Sequence, residues 1–326
     1  MVAPIFKDTD TSSRGESYAT NAVVMVPPVD FKFNFETSSD NEFQQRLDLP
    51  DAEVRAKALA EFYNMVSILR GLGVNVTVMD YTGDGLETPD AVFPNNWFST
   101  NRAGDVILFP MACQNRRNEI RPDCLLDALS KEGFDVSEVV TVGNMSHPTA
   151  FLESTGVMIH DHVNRTIYAA LSDRCDKKLL LQYLDVSEFH ELLSFETQMA
   201  SGASVYHTNV MMAVGDGFAV ICDEIIEEFE RRRVLSTLRK TKEVISISEA
   251  QMGQFCGNIL QLKNDNNEHL IVMSLSAYNA FSREQKNILR KHGKLVPIDV
   301  TTIETIGGGS VRCMLAENFL PQRDCS

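Results

Sequence analysis

The chain has 326 residues, of which 44% are hydrophobic and 23% charged, a composition typical of globular proteins. Its formal net charge of −15 argues against nucleic-acid backbones and anionic membranes as partners. No apolar run approaches the roughly 18 residues of a membrane helix, and seven widely spaced cysteines without a CxxC pair indicate reduced thiols in a cytoplasmic protein, not a disulfide framework or a zinc site.

The chain opens with a polar segment, residues 1–20, that lacks the apolar core of a secretory signal, and we interpret it as a loose leader. The clearest helix then runs from about Ala52 to Leu69, where apolar side chains recur at helical spacing. The segment "VNVTVMD" follows, and its alternating valines predict a strand.

Two adjacent asparagines, Asn95 and Asn96, occur in the apolar segment "VFPNNWFST". Adjacent asparagines are common in exposed turns, but the aromatic neighbours of this pair indicate burial. Further along, "NRRNE" places Arg116 and Arg117 at a helix start, where positive charge opposes the helix dipole. Such arginines either hold a carboxylate or lie on a solvated face.

A helix-to-strand exit recurs along the chain. "LRGLGVNV", "LSKEGFDV" and "LRKHGKLV" share a leucine, polar residues and a glycine, which suits a left-handed helix end. Two looser versions lie near Leu193 and Leu238. Five similar units predict either a repeated module arranged around an axis or an ordinary α/β sheet protein.

Three residues could carry chemistry together. In "IGGGSVRCMLAEN", Cys313 follows a glycine-rich turn and adjoins Arg312, whose charge favours a thiolate. The alternative is that Cys313 is a buried structural cysteine. His207, at the start of an apolar strand, is either a core histidine or the base that a nucleophilic cysteine needs. Glu153 in "FLESTG" is either buried and paired or a surface charge.

Eight segments, in order, resemble the arginine deiminase-related proteins. This group is often labelled amidinotransferase-like, some members are citrulline hydrolases, and it belongs to the guanidino-group-modifying superfamily. The similarity runs from about Val26 to Pro321 and rests on "FNFETSSDNEFQ", "TPDAVFPNNWFST", "NRRNE", "FLESTG", "LSDRCD", "YHTNVMM", "CGNIL" and "GGGSVRCMLAENFLP".

The resemblance implies an α/β fold of the pentein type, a propeller of five ββαβ-type modules around a pseudo-fivefold axis. Residues 21–326 would form one catalytic domain with the site at its centre. The resemblance also implies an amino-acid substrate and no metal or organic cofactor. A homodimer is compatible with it.

The resemblance also assigns roles. Cys313 matches the nucleophile, His207 the acid/base, and Glu153 the carboxylate that positions the substrate nitrogen and its proton. The arginines that hold the substrate α-carboxylate match Arg174 and either Arg117 or Arg116. Asn258 would contact the substrate, so that each of the five modules contributes one residue to the site. Ser154 stands where relatives more often have glycine.

At two positions this sequence departs from deiminase relatives, because Asn96 and Asn209 replace aspartates that grip a cationic guanidinium. Carboxylates buried against a neutral ureido group would be uncompensated charges, whereas an amide matches both its C=O and its NH2.

The departures favour a covalent cysteine hydrolase that converts citrulline to ornithine, CO2 and ammonia. The alternatives are an arginine deiminase, an arginine dihydrolase or an amidinotransferase, and more remotely a non-catalytic binding protein of the same fold.

Overall fold

The computed structural model describes residues 17–79 and 85–323. Within these residues the chain forms fifteen short strands. The strands are β1 (Ala22–Met25), β2 (Asn75–Val78), β3 (Phe98–Thr100), β4 (Asp105–Leu108), β5 (Glu138–Thr141), β6 (Ile159–Asp161), β7 (Thr166–Ala170), β8 (Glu191–Phe195), β9 (Met212–Val214), β10 (Phe218–Ile221), β11 (Glu243–Ser246), β12 (Leu260–Lys263), β13 (His269–Ser274), β14 (Lys294–Ile298) and β15 (Ala316–Glu317).

Eleven α-helices connect these strands in the described part of the chain. They are α1 (Asp51–Gly71), α2 (Gln114–Arg117), α3 (Pro122–Lys131), α4 (Ser154–Val157), α5 (Lys177–Val186), α6 (Thr208–Met211), α7 (Glu228–Leu238), α8 (Glu249–Met252), α9 (Leu275–Ala280), α10 (Arg283–His292) and α11 (Thr301–Gly307).

The strands are grouped into five three-stranded sheets of one design. In four of them the first two strands form an antiparallel hairpin, and the third joins parallel to the second after a helix. The remaining sheet combines both ends of the described chain, because β15 pairs antiparallel with β1, and β1 pairs parallel with β2. This mixed α/β architecture of five small sheets fits the five predicted modules.

The predicted helix-to-strand exits are confirmed at four of five places. Helices α1, α3, α7 and α10 each lead into the third strand of a sheet. The exit placed near Leu193 is wrong, because Leu193 lies inside β8 and the helix before it ends at Val186. Gly73 and Gly133 adopt the expected left-handed conformation, with φ of 83° and 79°, whereas Gly293 is extended with φ of 163°.

The hydrophobic core is distributed between the modules as four clusters that fill the space between sheets and helices. Trp97 is 1% exposed and belongs to one of these clusters, so the segment around the two asparagines is buried as its composition predicts. Among the described residues, no helix has the length and apolar character needed to cross a membrane.

Most of the predicted leader lies outside the described residues. Its last residues contact the folded chain: the Thr20 hydroxyl donates to the Asn318 carbonyl at 2.6 Å, and the Ser17 hydroxyl donates to Asp216 at 2.7 Å. The domain limits given by the sequence stay a prediction.

Candidate active site

The five residues predicted to meet at the centre occupy equivalent places in the five sheets. Asn96 stands before β3, Glu153 before α4 and β6, His207 before α6 and β9, Asn258 before β12, and Cys313 before β15. All five side chains are buried. Each one lies shortly before the strand that pairs antiparallel with the middle strand of its sheet, so the repeated fold positions them alike.

The loop that carries Cys313 begins where α11 ends. Gly308 has a left-handed backbone with φ of 63° and closes the helix. A Cβ atom on Gly307 or Gly309 would lie within 3 Å of the Phe93 ring, so these positions accept only glycine without rearrangement. The glycine run therefore serves to pack the loop against the segment that carries the asparagines.

The thiol of Cys313 lies between two carboxamides. Nδ2 of Asn258 is 3.2 Å from the sulfur, and Nδ2 of Asn209 is 3.4 Å from it. Cys313 is 2% exposed, and the two asparagines are fully buried. The structure thus brings Asn209, which lies in the helix after His207, directly to the proposed nucleophile.

His207 and Glu153 form a buried pair. Nε2 of His207 lies 2.7 Å from Oε2 of Glu153. Burial lowers the pKa of His207 below its ordinary value; Glu153 opposes this shift, and Arg174 and Arg116 reinforce it. The imidazole is therefore neutral at neutral pH, and the bond to Glu153 leaves Nδ1 as its basic nitrogen.

Glu153 is held as an ionised carboxylate. Burial raises its pKa, but the charge of Arg174 and the hydrogen bond from His207 outweigh this effect and lower the pKa well below the ordinary range. The Ala112 N–H donates to its Oε1 at 3.0 Å, which fixes the carboxylate from the side away from the imidazole. A general acid/base pair needs this kind of orienting partner.

Ser154 does adopt the conformation that suits glycine. Its φ is 42°, in the left-handed region, and its hydroxyl donates to the Phe98 carbonyl at 3.0 Å. Two residues on, a Cβ on Gly156 would lie 2.4 Å from Nδ2 of Asn96 and 3.0 Å from the ring of His207. Gly156 thus lets the asparagine and the histidine approach each other.

Arg116 is 2% exposed and contacts Asn96. Its Nη1 donates to the Asn96 Oδ1 at 2.9 Å, and its Nη2 donates to Glu119 at 3.0 Å. Burial raises the pKa of Glu119 to about 8 against the lowering effect of Arg116. Asp90 lies 3.9 Å from the guanidinium, and its Oδ1 has no hydrogen-bond partner among the described residues.

Arg174 is also buried and lies over the ring of Tyr206, with 5.3 Å between its Cζ and the ring centroid. Its guanidinium makes two hydrogen bonds to Asp40, one of them from Nε at 2.7 Å, and its Nη1 lies 3.4 Å from Glu153. Asp40 belongs to the segment of residues 31–45, which also contacts Gly307 and Gly308 through Asn41.

The structure does not bring Arg117 to this cluster. Its guanidinium donates to the carbonyls of Met111 and Ala112 and lies over the ring of Phe151. Of the two arginines that the sequence left open, Arg116 is the one that faces the site.

Sequence reasoning missed Asp40, Asp90, Glu119, Tyr206 and Gly156. Each lies within a segment that carries the family resemblance, but nothing in its spacing marks it as part of a site. Among the described residues, no three histidine, cysteine, aspartate or glutamate side chains are placed to hold a metal ion.

These side chains enclose a small cavity. Asn96, Arg116, Arg174, His207 and Cys313 line it, together with Asp90, Thr37, Asn41, Phe93, Tyr206, Gly307 and Gly309. Its volume is about 10 Å³, the room of about one water molecule. Its lining combines charged side chains of both signs with the neutral amide of Asn96 and the thiol of Cys313.

Solved structures share this fold. The apo structure of ArgZ, an arginine dihydrolase from the ornithine-ammonia cycle in cyanobacteria, matches with a TM-score of 0.71 at 16% identity, covering 93% of this chain and 41% of that one. Unliganded AgrE matches with a TM-score of 0.71 at 17% identity, covering 93% and 40%. The chain thus spans about two fifths of the length of these relatives.

A shorter relative is covered in full. A dimethylarginine dimethylaminohydrolase variant, solved as an adduct with S-methyl-L-thiocitrulline, matches with a TM-score of 0.63 at 15% identity, covering 92% of this chain and 100% of that one. At such identities the likeness shows the fold. A comparison with curated proteins found no match.

The sequence also matches a family model, described as N,N dimethylarginine dimethylhydrolase, eukaryotic, over residues 27–320. The match covers most of the chain and confirms the predicted relationship to the guanidino-group-modifying enzymes. The name of the family is that of a hydrolase, in agreement with the enzyme class predicted from the sequence. The chain belongs to the eukaryotic N,N dimethylarginine dimethylhydrolase family.

Proposed function

We propose that the protein is a cysteine hydrolase of ureido carbon–nitrogen bonds and that its substrate is citrulline, which it converts to ornithine, CO2 and ammonia. In this proposal the five modules surround a pseudo-fivefold axis and the cavity at Cys313 is the active site. The observation that carries the proposal is the contact of neutral carboxamides with the nucleophile, at 3.2 and 3.4 Å from its sulfur.

The charged and the neutral side chains of the site suit the two ends of citrulline. Arg116 with Asp90, and Arg174 with Asp40, offer neighbouring charges of opposite sign, which match the α-carboxylate and α-ammonium groups of an amino acid. The free Oδ1 of Asp90 suits the ammonium group. Arg116 and Arg174 bind the carboxylate, and the substrate displaces Asp40 from Arg174 as it enters.

The ureido group binds at the amides. The Oδ1 of Asn96 accepts a hydrogen bond from Arg116, and its Nδ2 donates one to Asn95. One acceptor site and one N–H of the amide remain for a ligand. Asn209 offers the same pair of groups near the sulfur. Buried amides impose no charge, so they favour a neutral ureido group over a guanidinium.

The reaction proceeds through a covalent intermediate. The proton of the Cys313 thiol passes to His207, and the sulfur attacks the ureido carbon. The imidazolium, stabilised by Glu153, returns the proton to the departing δ-nitrogen, so that ornithine leaves and an S-carbamoyl enzyme remains. Water then attacks the carbonyl and gives a proton to His207. The carbon–sulfur bond breaks, the Cys313 thiolate takes the proton back from His207, and the released carbamic acid decomposes to CO2 and ammonia.

A second candidate is a hydrolase that accepts a cationic guanidino group. The family name and the arginine dihydrolase fold relative point to such substrates, and the unpaired oxygen of Asp90 could pair with a cation. The amides at Cys313 argue for citrulline, although they also suit a dihydrolase that passes through a ureido stage. The cytoplasmic location and the homodimer stay predictions.

Substituting Asn96→Asp tests the argument from charge. The new carboxylate would be buried beside the ureido site, and we expect kcat/KM for citrulline to fall by about 10²-fold, equivalent to about 3 kcal/mol. The fold should persist, because Arg116 still donates to the side chain. Steady-state kinetics and thermal unfolding measure the two effects.

Asn95→Asp is the matched control, because it places the same charge one residue away, against Thr155. It should affect thermal stability more than it affects substrate preference. Unchanged citrulline turnover in Asn96→Asp would show that the charge of this side chain does not determine the preference for a neutral substrate.

A further inference from the structure

One side chain that contacts the Cys313 sulfur has no role in the mechanism proposed above. Asn258, which comes from the loop before β12, points its Nδ2 at the sulfur from 3.2 Å. The sequence suggested only a substrate contact for this residue. Its hydrogen bonds indicate a different task.

Backbone groups of fixed polarity hold both ends of the Asn258 amide. Its Nδ2 donates to the Asn209 carbonyl at 2.8 Å, and its Oδ1 accepts from the Arg312 N–H at 3.0 Å. A carbonyl can only accept and an N–H can only donate, so the amide cannot be reversed without losing both bonds. An N–H group of Asn258 therefore faces the sulfur as a fixed donor.

The loop that carries Asn258 is packed closely against its neighbour. A Cβ on Gly257 would lie 2.3 Å from the Val210 carbonyl and 2.6 Å from the Met211 backbone, so glycine permits this approach. Phe255 has a left-handed backbone with φ of 61°. The close packing places the amide between the module of His207 and the loop of Cys313.

Asn209 is held less tightly. Its Nδ2 and Oδ1 lie 3.4 and 3.7 Å from the sulfur. Either end can turn toward a bound ureido group. The two amides therefore have different roles: Asn258 is fixed on the nucleophile, and Asn209 is available to the substrate.

We propose that Asn258 is a catalytic residue that stabilises the Cys313 thiolate by a fixed N–H···S hydrogen bond. Hydrogen bonds to the charged form of a group favour that form. A guanidinium substrate would bring its own positive charge to the thiolate, whereas a neutral ureido substrate brings none. The need for this donor thus rests on the proposed function, but the hydrogen bond itself belongs to the substrate-free protein.

The test is the rate of Cys313 alkylation by iodoacetamide as a function of pH, measured without substrate and located by peptide mass spectrometry. In Asn258→Asp the Oδ1 contact to Arg312 can persist, while an oxygen replaces the N–H that faces the sulfur. We expect the midpoint of the pH profile to rise by about one unit or more, so that alkylation at pH 7 slows about tenfold.

Asn258→Ala removes the donor without adding a charge and should shift the midpoint in the same direction by less. It also serves if the aspartate variant fails to fold. Asn264→Asp, in the turn between β12 and β13, makes the same chemical change away from the sulfur. Its alkylation profile should match that of the unmodified protein.

A folded Asn258→Asp or Asn258→Ala protein with an unshifted profile would overturn the role of Asn258. This result would leave the choice of substrate untouched, because no substrate is present in the assay. Conversely, a shifted profile in a protein that does not act on citrulline would support the N–H···S bond and refute the proposed substrate.

Discussion

Substitution of Cys313 by serine is expected to reduce ornithine formation from citrulline to a small residual rate, a loss on the order of 10⁶-fold. A hydroxyl is far less nucleophilic than a thiolate, and the flanking amides are neutral donors that cannot deprotonate it. The side chains have similar shape, so the variant should fold. Ornithine assays measure the loss, and intact-protein mass spectrometry should show a carbamoyl adduct only with the thiol present.

Cys222→Ser is the matched control for a buried cysteine. Burial raises the pKa of this thiol to about 12, and it lies in the core away from the cavity. We expect the control to lose some stability, because a buried hydroxyl needs a partner, while turnover changes by no more than a few fold. Full activity in Cys313→Ser would contradict a covalent mechanism through this residue.

Substitution of Glu153 by glutamine is expected to reduce kcat by about 10²–10⁴-fold with a smaller change in KM. The carboxylate lies 2.7 Å from His207 and balances the charges of Arg174 and Arg116. A neutral amide cannot stabilise the imidazolium, and it leaves both arginines less well compensated. Steady-state kinetics would separate this loss of chemistry from weaker substrate binding.

Glu61→Gln is a suitable control for Glu153→Gln. Glu61 is a partly buried carboxylate that accepts hydrogen bonds from the backbone N–H groups of Thr302 and Ile303. Its substitution should lower the thermal unfolding midpoint and leave kcat nearly unchanged. Equal losses of kcat in the two variants would show that Glu153 acts through stability alone.

Much of the fold follows from local sequence signals. The periodic apolar residues of α1 and the alternating valines after it are found as expected, with the helix at Asp51–Gly71 and the strand at Asn75–Val78. The failure near Leu193 has a simple cause: "ELLSF" forms a strand, but its paired leucines also fit the end of a helix. Short apolar runs do not distinguish the two.

The site could be predicted only as a set of residue types. Cys313, His207 and Glu153 lie far apart in the chain, and local patterns left a structural role open for each. What brings them together is the repetition of the module. The ion pair of Arg174 with Asp40 joins residues that are 134 positions apart in the sequence. Local residue spacing does not predict contacts of this range.

For Asn95 and Asn96 too, the sequence predicted burial but not the hydrogen-bond partners. Their apolar neighbours predicted burial, and Asn95 and Asn96 are indeed buried. The partners were not predictable, because Asn95 bonds Thr155 from the next module and Asn96 bonds Arg116. The charge argument for Asn96 came from its departure from related sequences, and the structure adds the contacts through which a carboxylate would act.

Product analysis of the unmodified enzyme with citrulline and arginine in separate reactions tests the central claim most directly. Neutral amides around Cys313 predict that citrulline yields ornithine, CO2 and ammonia in equal amounts, and that arginine is consumed much more slowly. If arginine or dimethylarginine were consumed rapidly and citrulline were left intact, the account of a neutral substrate would be wrong.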